Sequence, residues 1–367
     1  MPLTTEAAVF RADSGARCEL RPVLLADPGP TEMVVEIKAC GICHTDVGFA
    51  EHVTRPAVLG HEGAGIVHQV GAAVTRFTPG DRVTLTFSAC EQCATCESGH
   101  PAYCMTHIAR NFDGVRPDGS AALMTEDGRP LFGAFFQQSS FARHALVQQD
   151  NAVAIPADLD FALAAPLGCG IQTGAGAVLR SFDARAGEPI AIFGAGAVGL
   201  AAVMAARIRG CDPIIAVDLS ENRRHLARRL GATHSFEGTE PELADTLRSL
   251  SGGGLRYALE GTSHPDVYAM AINALRPGGI CGTLAYPGEF GQPVAHPGGF
   301  AFMNTTSLGV IEGDSDPATF IPELIALAER GDLPYAQLIE RYPFARINDA
   351  LADAATGRVI KAVLKFD

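Results

Sequence analysis

Long apolar runs are missing from this chain of 367 residues. No uninterrupted stretch approaches the roughly 20 apolar residues that cross a bilayer. The opening segment, MPLTTEAAVF, lacks both the basic residues and the apolar stretch of a secretory signal, so a cytoplasmic location is expected. Basic runs are missing too, and the net charge is −13, which makes nucleic acid and anionic membranes poor partners. There is no internal repeat and no low-complexity linker. What remains is an ordinary globular composition, 47% hydrophobic and 19% charged, with 40 glycines that promise turns and close backbone contacts. The chain is too long for one core, so two domains are expected. In a reducing compartment its ten cysteines read as metal ligands and buried thiols rather than disulfides. Cys18, Cys40, Cys211 and Cys281 lie in apolar or mixed contexts and are read as packing residues.

Four of the others stand at Cys90, Cys93, Cys96 and Cys104, a C-x2-C-x2-C-x7-C spacing. Tetrahedral zinc needs four thiolates converging on one point, and a short looped segment can supply all of them. A disulfide-bonded loop would also use four cysteines, but nothing in the sequence suggests an oxidising compartment. A structural zinc is therefore expected here.

Residues 1–160 read as short strands and turns. Met33–Ala39, Ala64–Val70 and Arg82–Thr86 are rich in β-formers and bounded by Gly, Pro or Asp. Near Pro166 the texture changes to alternating strand and helix. Pro189–Phe193, Pro213–Val217, Tyr257–Leu259, Ile280–Ala285 and Ser307–Ile311 read as strands, with helices over Ala197–Arg209 and Glu221–Leu230. Such alternation predicts an α/β fold, a doubly wound parallel sheet beside an irregular β-rich domain. The tail reads as a helix, Pro317–Arg330, followed by short β-like pieces over Leu338–Phe366. Residues 105–140 read as a long, poorly periodic loop.

The strand ending at Phe193 runs into Gly194-Ala195-Gly196-Ala197-Val198-Gly199, a G-x-G-x-x-G turn between strand and helix. Gly194 allows the tight turn, Gly196 lets a pyrophosphate approach the backbone, and Gly199 lets helix pack on strand. The helix N-terminus then faces the anion. The next strand ends in Asp218, placed to bond ribose hydroxyls and repel a 2′-phosphate; its other reading is a helix cap. NAD is the expected cofactor.

A second set of ligand-type residues is dispersed. Cys43 lies in CGICHTD, His61 in GHEGAG and Cys169 in PLGCG. Taken singly, His61 reads as a structural histidine and Cys43 as a buried thiol. Together the three match a catalytic zinc, which takes three protein ligands and keeps a fourth position open.

With these residues in view, the chain resembles the zinc-dependent medium-chain alcohol dehydrogenases over essentially its whole length. GHEGAGIVHQVGAAV fits that family's signature G-H-E-x2-G-x5-G-x2-V, and the cysteine lobe, GAGAVG and Asp218 follow in the family's order. CGICHTD, PLGCGIQTGAG, FFQQSSFA and IKAVLKF look most like the aryl and allylic alcohol dehydrogenases. The resemblance implies a Rossmann-type NAD-binding domain over 171–313 and a GroES-like catalytic domain over 1–170 and 314–367. It implies two zinc ions per chain, NAD, and reversible oxidation of primary aromatic or allylic alcohols to aldehydes by a homodimer or homotetramer. Carried over by position, it puts the catalytic zinc on Cys43, His61 and Cys169, with Glu62 behind the metal and Asp46 orienting His61. Thr45 would take the substrate hydroxyl proton, and His44 would face the pyrophosphate. Thr173 and Val198 would line the nicotinamide. Arg223 would help Asp218 hold the ribose, and Lys361 would reach the pyrophosphate from the tail.

One position departs from the pattern. Many relatives place a proton-relaying histidine five residues after the first zinc cysteine, and here that residue is Gly48, with His52 nearby. Two other readings stay open. A glutathione-dependent formaldehyde dehydrogenase shares the fold and would need an arginine for its anionic substrate, and Arg110 and Arg116 are available. A non-catalytic zinc and nucleotide binder would need only the closed lobe.

Overall fold

A computed structural model describes residues 2–12, 14–288 and 303–367. The chain divides into two compact units. The first comprises Met1–Cys169, Asp316–Ile325 and Ala336–Asp367, and the second Gly170–Ser315 and Ala326–Tyr335.

The first unit is built on two sheets. Strands β1 (Leu3–Phe10), β2 (Cys18–Leu25), β4 (Ala57–Val58) and β7 (Leu123–Met124) form one, in the order β4-β1-β2-β7. The other contains β3 (Glu32–Gly41), β5 (Glu62–Val70), β6 (Arg82–Leu85), β8 (His144–Gln148), β9 (Ala152–Ala154), β16 (Ile339–Pro343) and β17 (Lys361–Lys365). Its order is β16-β17-β3-β5-β6-β9, with β8 also on β3. Its pairings are antiparallel except β16 with β17. Phe10, Leu25, Met33, Ile37, Leu59, Leu85, Leu123 and Phe141 are fully buried in the shared core. Each such side chain contributes about 1.5–3 kcal/mol of apolar burial. Register matters for function, because Gly41 lies opposite both Glu62 and Val363, so the ends of β3, β5 and β17 meet.

The second unit is a six-stranded parallel sheet of β10 (Ile190–Phe193), β11 (Ile214–Val217), β12 (His234–Phe236), β13 (Leu255–Glu260), β14 (Leu275–Thr283) and β15 (Thr306–Gly309). The order β12-β11-β10-β13-β14-β15 is the 3-2-1-4-5-6 arrangement of dinucleotide-binding folds. IAIF and IIAV are wholly buried, as parallel strands covered on both faces require. The helices Ala197–Arg209 and Glu221–Leu230 follow β10 and β11. The first ends on Gly210 at φ 71°, with Arg207 and Arg209 in its last turn complementing the helix dipole.

Two segments differ from the sequence expectation. The tail holds a helix, Ile347–Ala355, between β16 and β17 rather than strand-like pieces alone. Ile347, Ala350, Leu351 and Ala354 are buried at i, i+3, i+4 and i+7, a helical period that small alanines disguise. The stretch 105–140 is also partly ordered into the helix His107–Phe112 and β7. Among the described residues no single helix is long and apolar enough to cross a membrane.

Candidate active site and metal centres

Donor atoms of Cys43, His61, Glu62 and Cys169 lie within 4.8 Å of one another in the first unit. Cys43 immediately precedes the short helix His44–Ala50, His61 and Glu62 open β5, and Cys169 follows the turn Ala165–Gly168. Asp46 ties the first two together. Its Oδ2 accepts the Cys43 N–H at 2.9 Å, and its Oδ1 accepts the Gly60 N–H at 3.1 Å and His61 Nδ1 at 2.9 Å. That bond fixes a proton on Nδ1 and leaves Nε2 with its lone pair. Nε2 is buried and has no hydrogen-bond partner among the described residues. Such an atom costs about 1–3 kcal/mol unless something binds it. A buried imidazole nitrogen beside two thiols is the donor set of an open Cys2His zinc site.

The electrostatics agree with that chemistry. The Cys43 thiol is held well below its ordinary value, chiefly by hydrogen bonding to Cys169; burial opposes the shift and His61 adds to it. Burial works against a charge on His61, but the Asp46 carboxylate and Cys43 together outweigh it and hold the imidazole well above its usual range. A metal and that second proton compete for the same lone pair.

Lys361 is buried beside Glu62. Its side chain is 3% exposed, and Nζ donates to Glu62 Oε1 at 2.8 Å, Glu62 Oε2 at 3.0 Å and the Ile42 carbonyl at 3.1 Å. These contacts hold the ammonium group against the Glu62 carboxylate. The cause is strand register, since β17 pairs with the end of β3 beside Glu62. Gly41 completes the slot: a Cβ at that position would overlap the Glu62 carboxylate. Burial raises the Glu62 pKa, and Lys361 opposes that rise.

Thr45 Oγ1 is 3.6 Å from Cys43 Sγ. His44 is exposed, and around Gly48 a Cβ would meet open space. His52 is exposed, and its Nδ1 lies 2.8 Å from the Gly48 carbonyl. Beside His61 stands a wall of phenylalanines. Phe136 stacks on the imidazole at 4.4 Å and Phe135 meets its edge at 5.6 Å. Phe112 lies 5.0 Å from Phe136, and Phe49 lies 4.9 Å from Phe135 and 5.4 Å from Phe132. Phe49 joins this wall from the short helix after Cys43, and no local motif in the sequence marks it. Phe87 belongs to an outer tier, 6.1 Å from His107.

Cys90, Cys93, Cys96 and Cys104 also bring their sulfurs within 4.8 Å of one another. Cys93 and Cys96 are 3.5 Å apart, and Cys90 and Cys96 4.0 Å. A zinc tetrahedron with 2.3 Å bonds sets its sulfurs about 3.8 Å apart, so the lobe fits the ion. The Thr95 hydroxyl, 3.1 Å from Cys93 Sγ, leads the contacts that lower that thiol to about 5, with the Met105 N–H next.

In the second unit Gly194 has φ 94°, open to glycine, and a Cβ on Gly196 would meet nothing. A Cβ on Gly199 would overlap the Gly194 carbonyl, so helix and turn touch only because residue 199 is glycine. Asp218 accepts the Ala195 N–H at 2.7 Å and the Ser220 N–H at 2.8 Å, pinning the turn. Arg223 lies 4.0 Å from it, while Arg224 is spent on the Asp218 and Leu219 carbonyls. Thr173 Oγ1 donates to Glu312 at 3.3 Å, and Val198 is part-exposed in the first helical turn.

Residues 29–157 match the alcohol dehydrogenase GroES-like domain and residues 197–330 the zinc-binding dehydrogenase family. The chain is 38% identical to geraniol dehydrogenase of Castellaniella defragrans, over 99% of its own length and 98% of that protein's. Among solved structures it is similar to an alcohol dehydrogenase zinc-binding domain protein from Burkholderia ambifaria (44% identity, TM-score 0.96). It is also similar to benzyl alcohol dehydrogenase from Acinetobacter calcoaceticus (37%, TM-score 0.94). Both pairs are covered completely. With both domain signatures present and whole-length similarity to such enzymes, the chain belongs to the zinc-dependent alcohol dehydrogenases, oxidoreductases that use NAD.

Proposed function

We propose that this enzyme oxidises primary alcohols whose carbinol carbon adjoins an sp2 carbon, benzyl or allylic in type, and that it runs reversibly. The observation that carries the proposal is the phenylalanine wall against His61. A flat, apolar substrate gains offset or edge-on ring contacts there, each worth about 0.5–1.5 kcal/mol beyond area burial, which ethanol cannot collect. The similarity to geraniol and benzyl alcohol dehydrogenases supports the same class.

In this reading Cys43, His61 and Cys169 hold the catalytic zinc, and Cys90, Cys93, Cys96 and Cys104 hold a structural one. The bound zinc supplies Lewis acidity that makes an alcohol easier to deprotonate, and NAD supplies the hydride acceptor. The chain's own residues do the rest. Asp46 keeps His61 in the tautomer that offers Nε2. Thr45, beside Cys43, accepts the hydroxyl proton and passes its own onward. Gly48 leaves space at the next step, which water fills, assisted by His52. In the second unit Gly194, Gly196 and Gly199 shape the pyrophosphate seat. Asp218, with Arg223, holds the adenosine ribose and disfavours a 2′-phosphate, while Thr173 and Val198 flank the nicotinamide and His44 serves the pyrophosphate.

The first unit is thus the catalytic domain and the second the NAD-binding domain. Six cysteines placed as metal ligands support a reducing, cytoplasmic setting. The exposure of Met105 (74%) and Ile108 (67%) supports a homo-oligomer, dimer or tetramer, which light scattering would count.

Initial rates of NADH formation with ethanol, benzyl, cinnamyl and geraniol-type alcohols, and with formaldehyde plus glutathione, test the substrate class. The expected result is kcat/KM at least about tenfold higher for the conjugated alcohols than for ethanol, the effect of about 1.4 kcal/mol of added binding. A preference for ethanol, or a requirement for glutathione, would refute it. The same assay with NADP in place of NAD tests Asp218.

A further inference from the structure

The segment Ala134–Ser140 has an unusual backbone. Phe136, Gln137 and Ser139 have φ of 51°, 51° and 48°, a region that side-chain-bearing residues rarely adopt. All three are buried. Backbone held this way persists only where the surroundings over-determine it, and it concentrates at functional sites. Here the surroundings are hydrogen bonds. Ser139 Oγ donates to the Val58 carbonyl at 2.6 Å, and Gln137 Nε2 reaches the Arg110 and Val115 carbonyls at 2.8 Å each.

Gln138 is the residue this conformation turns inward. Its Nε2 donates to the His61 carbonyl at 2.9 Å and the Thr86 carbonyl at 3.1 Å. Its Oε1 accepts from the Gly63 N–H at 3.1 Å and the Ser140 hydroxyl at 2.7 Å. All four hydrogen-bonding places of the amide are filled. Thr86 continues the connection, donating its hydroxyl to the Gly168 carbonyl at 2.8 Å. Gly168 adjoins Cys169. The path therefore runs from His61 through Gln138 and Thr86 to Cys169, while Asp46 connects His61 to Cys43.

We propose that Gln138 and Thr86 are positioning residues that fix the separation of His61 from Cys169 and so set the open site's affinity for its metal. This rests on the zinc reading given under Proposed function. Neither residue is a metal-ligand candidate. Hydrogen-bond partners that orient ligands in this way are typically worth about 10–100-fold in metal affinity or activity.

Cobalt is the probe, since its visible bands report the geometry of each site. Gln138→Leu and Thr86→Val are titrated with Co2+ beside the wild-type chain, and metal release to a chelator is timed. The expected result is a loss of about 10–100-fold in affinity and a shifted band at one site, with the tetrathiolate bands unchanged. Thr86→Ser, which keeps the hydroxyl, should retain wild-type affinity within about threefold, an effect well below the loss expected on removing the hydroxyl. Should Gln138→Leu fail to fold, the Thr86→Val and Thr86→Ser pair decides. Two cobalt ions in the wild type and unaltered bands and release rates in Thr86→Val would overturn the brace alone. Fewer than two in the wild type would overturn the metal reading and the brace with it.

Discussion

Cys90, Cys93, Cys96 and Cys104 come from one short segment, whereas Cys169 stands more than 100 residues from Cys43 and His61. The lobe cysteines are mostly part-exposed, and their polar contacts are local: Thr95, Thr106 and the Met105 N–H. The dispersed set is held by the fold. Asp46 comes from a helix, Glu62 from β5, Lys361 from β17 and Gln138 from a strained loop, and all four are buried. On the proposed zinc reading, metal binding and chain ordering would be one event in the lobe. The dispersed set would receive its metal in a framework held by buried side chains from several elements. That difference would separate a site that serves stability from one that serves chemistry.

Cys43→Ala should break the comparison most sharply. Loss of Lewis acidity worth several kcal/mol predicts a fall in kcat of about 10³-fold or more. Circular dichroism should be unchanged, and one zinc per chain should remain. Metal analysis finding both ions still bound would remove Cys43 from the ligand set.

Lys361→Met probes the framework itself. Breaking a buried pair from one side costs about 3–5 kcal/mol. Lys361→Met/Glu62→Gln removes both charges and should recover most of that stability. Denaturant titration measures both, and equal losses in the single and double variants would show that the pairing contributes little.

Cys96→Ala should behave as the mirror image of Cys43→Ala. A loss of about 3 kcal/mol in a unit of this size lowers Tm by about 6–12 °C, with yield falling too. The fraction that stays folded should keep its kcat. A variant that melts with the wild type would mean that the lobe carries no structural ion.

The smallest effect is expected at the rim, where His52 is exposed and touches the Gly48 carbonyl. If water completes the proton path, His52→Ala changes kcat by less than about tenfold between pH 6 and 9, below the 10²–10⁴ of an essential general base. A larger loss restored by imidazole would make His52 the base.

What could be read from the chain beforehand follows the same division. The lobe and the Gly194–Gly199 turn are legible because their chemistry sits in a few consecutive residues. β10, β11 and the two helices beside them are legible because their apolar periods are unbroken. The contact of Lys361 with Glu62 is not legible, because the two stand 299 positions apart and only the register of β17 on β3 brings them together. Gln138 lies in the FFQQSSFA stretch, but its bonds to His61, Gly63 and Thr86 are not legible because those partners stand 52 to 77 positions away. The helix Ile347–Ala355 was missed because alanines fill half of its buried face.

The pairing of Lys361 with Glu62 also has a timetable. A ribosome adds about 5–20 residues per second, so the 299 positions between them take on the order of 15–60 s to synthesise. For that interval the free edge of β3 has no β17, and the Glu62 carboxylate has only water for company. The framework around the dispersed cysteines is complete only once Lys361 has emerged, whereas the lobe has all four thiols once Cys104 emerges. On the proposed zinc reading, the lobe would be ready for its ion well before the dispersed set is.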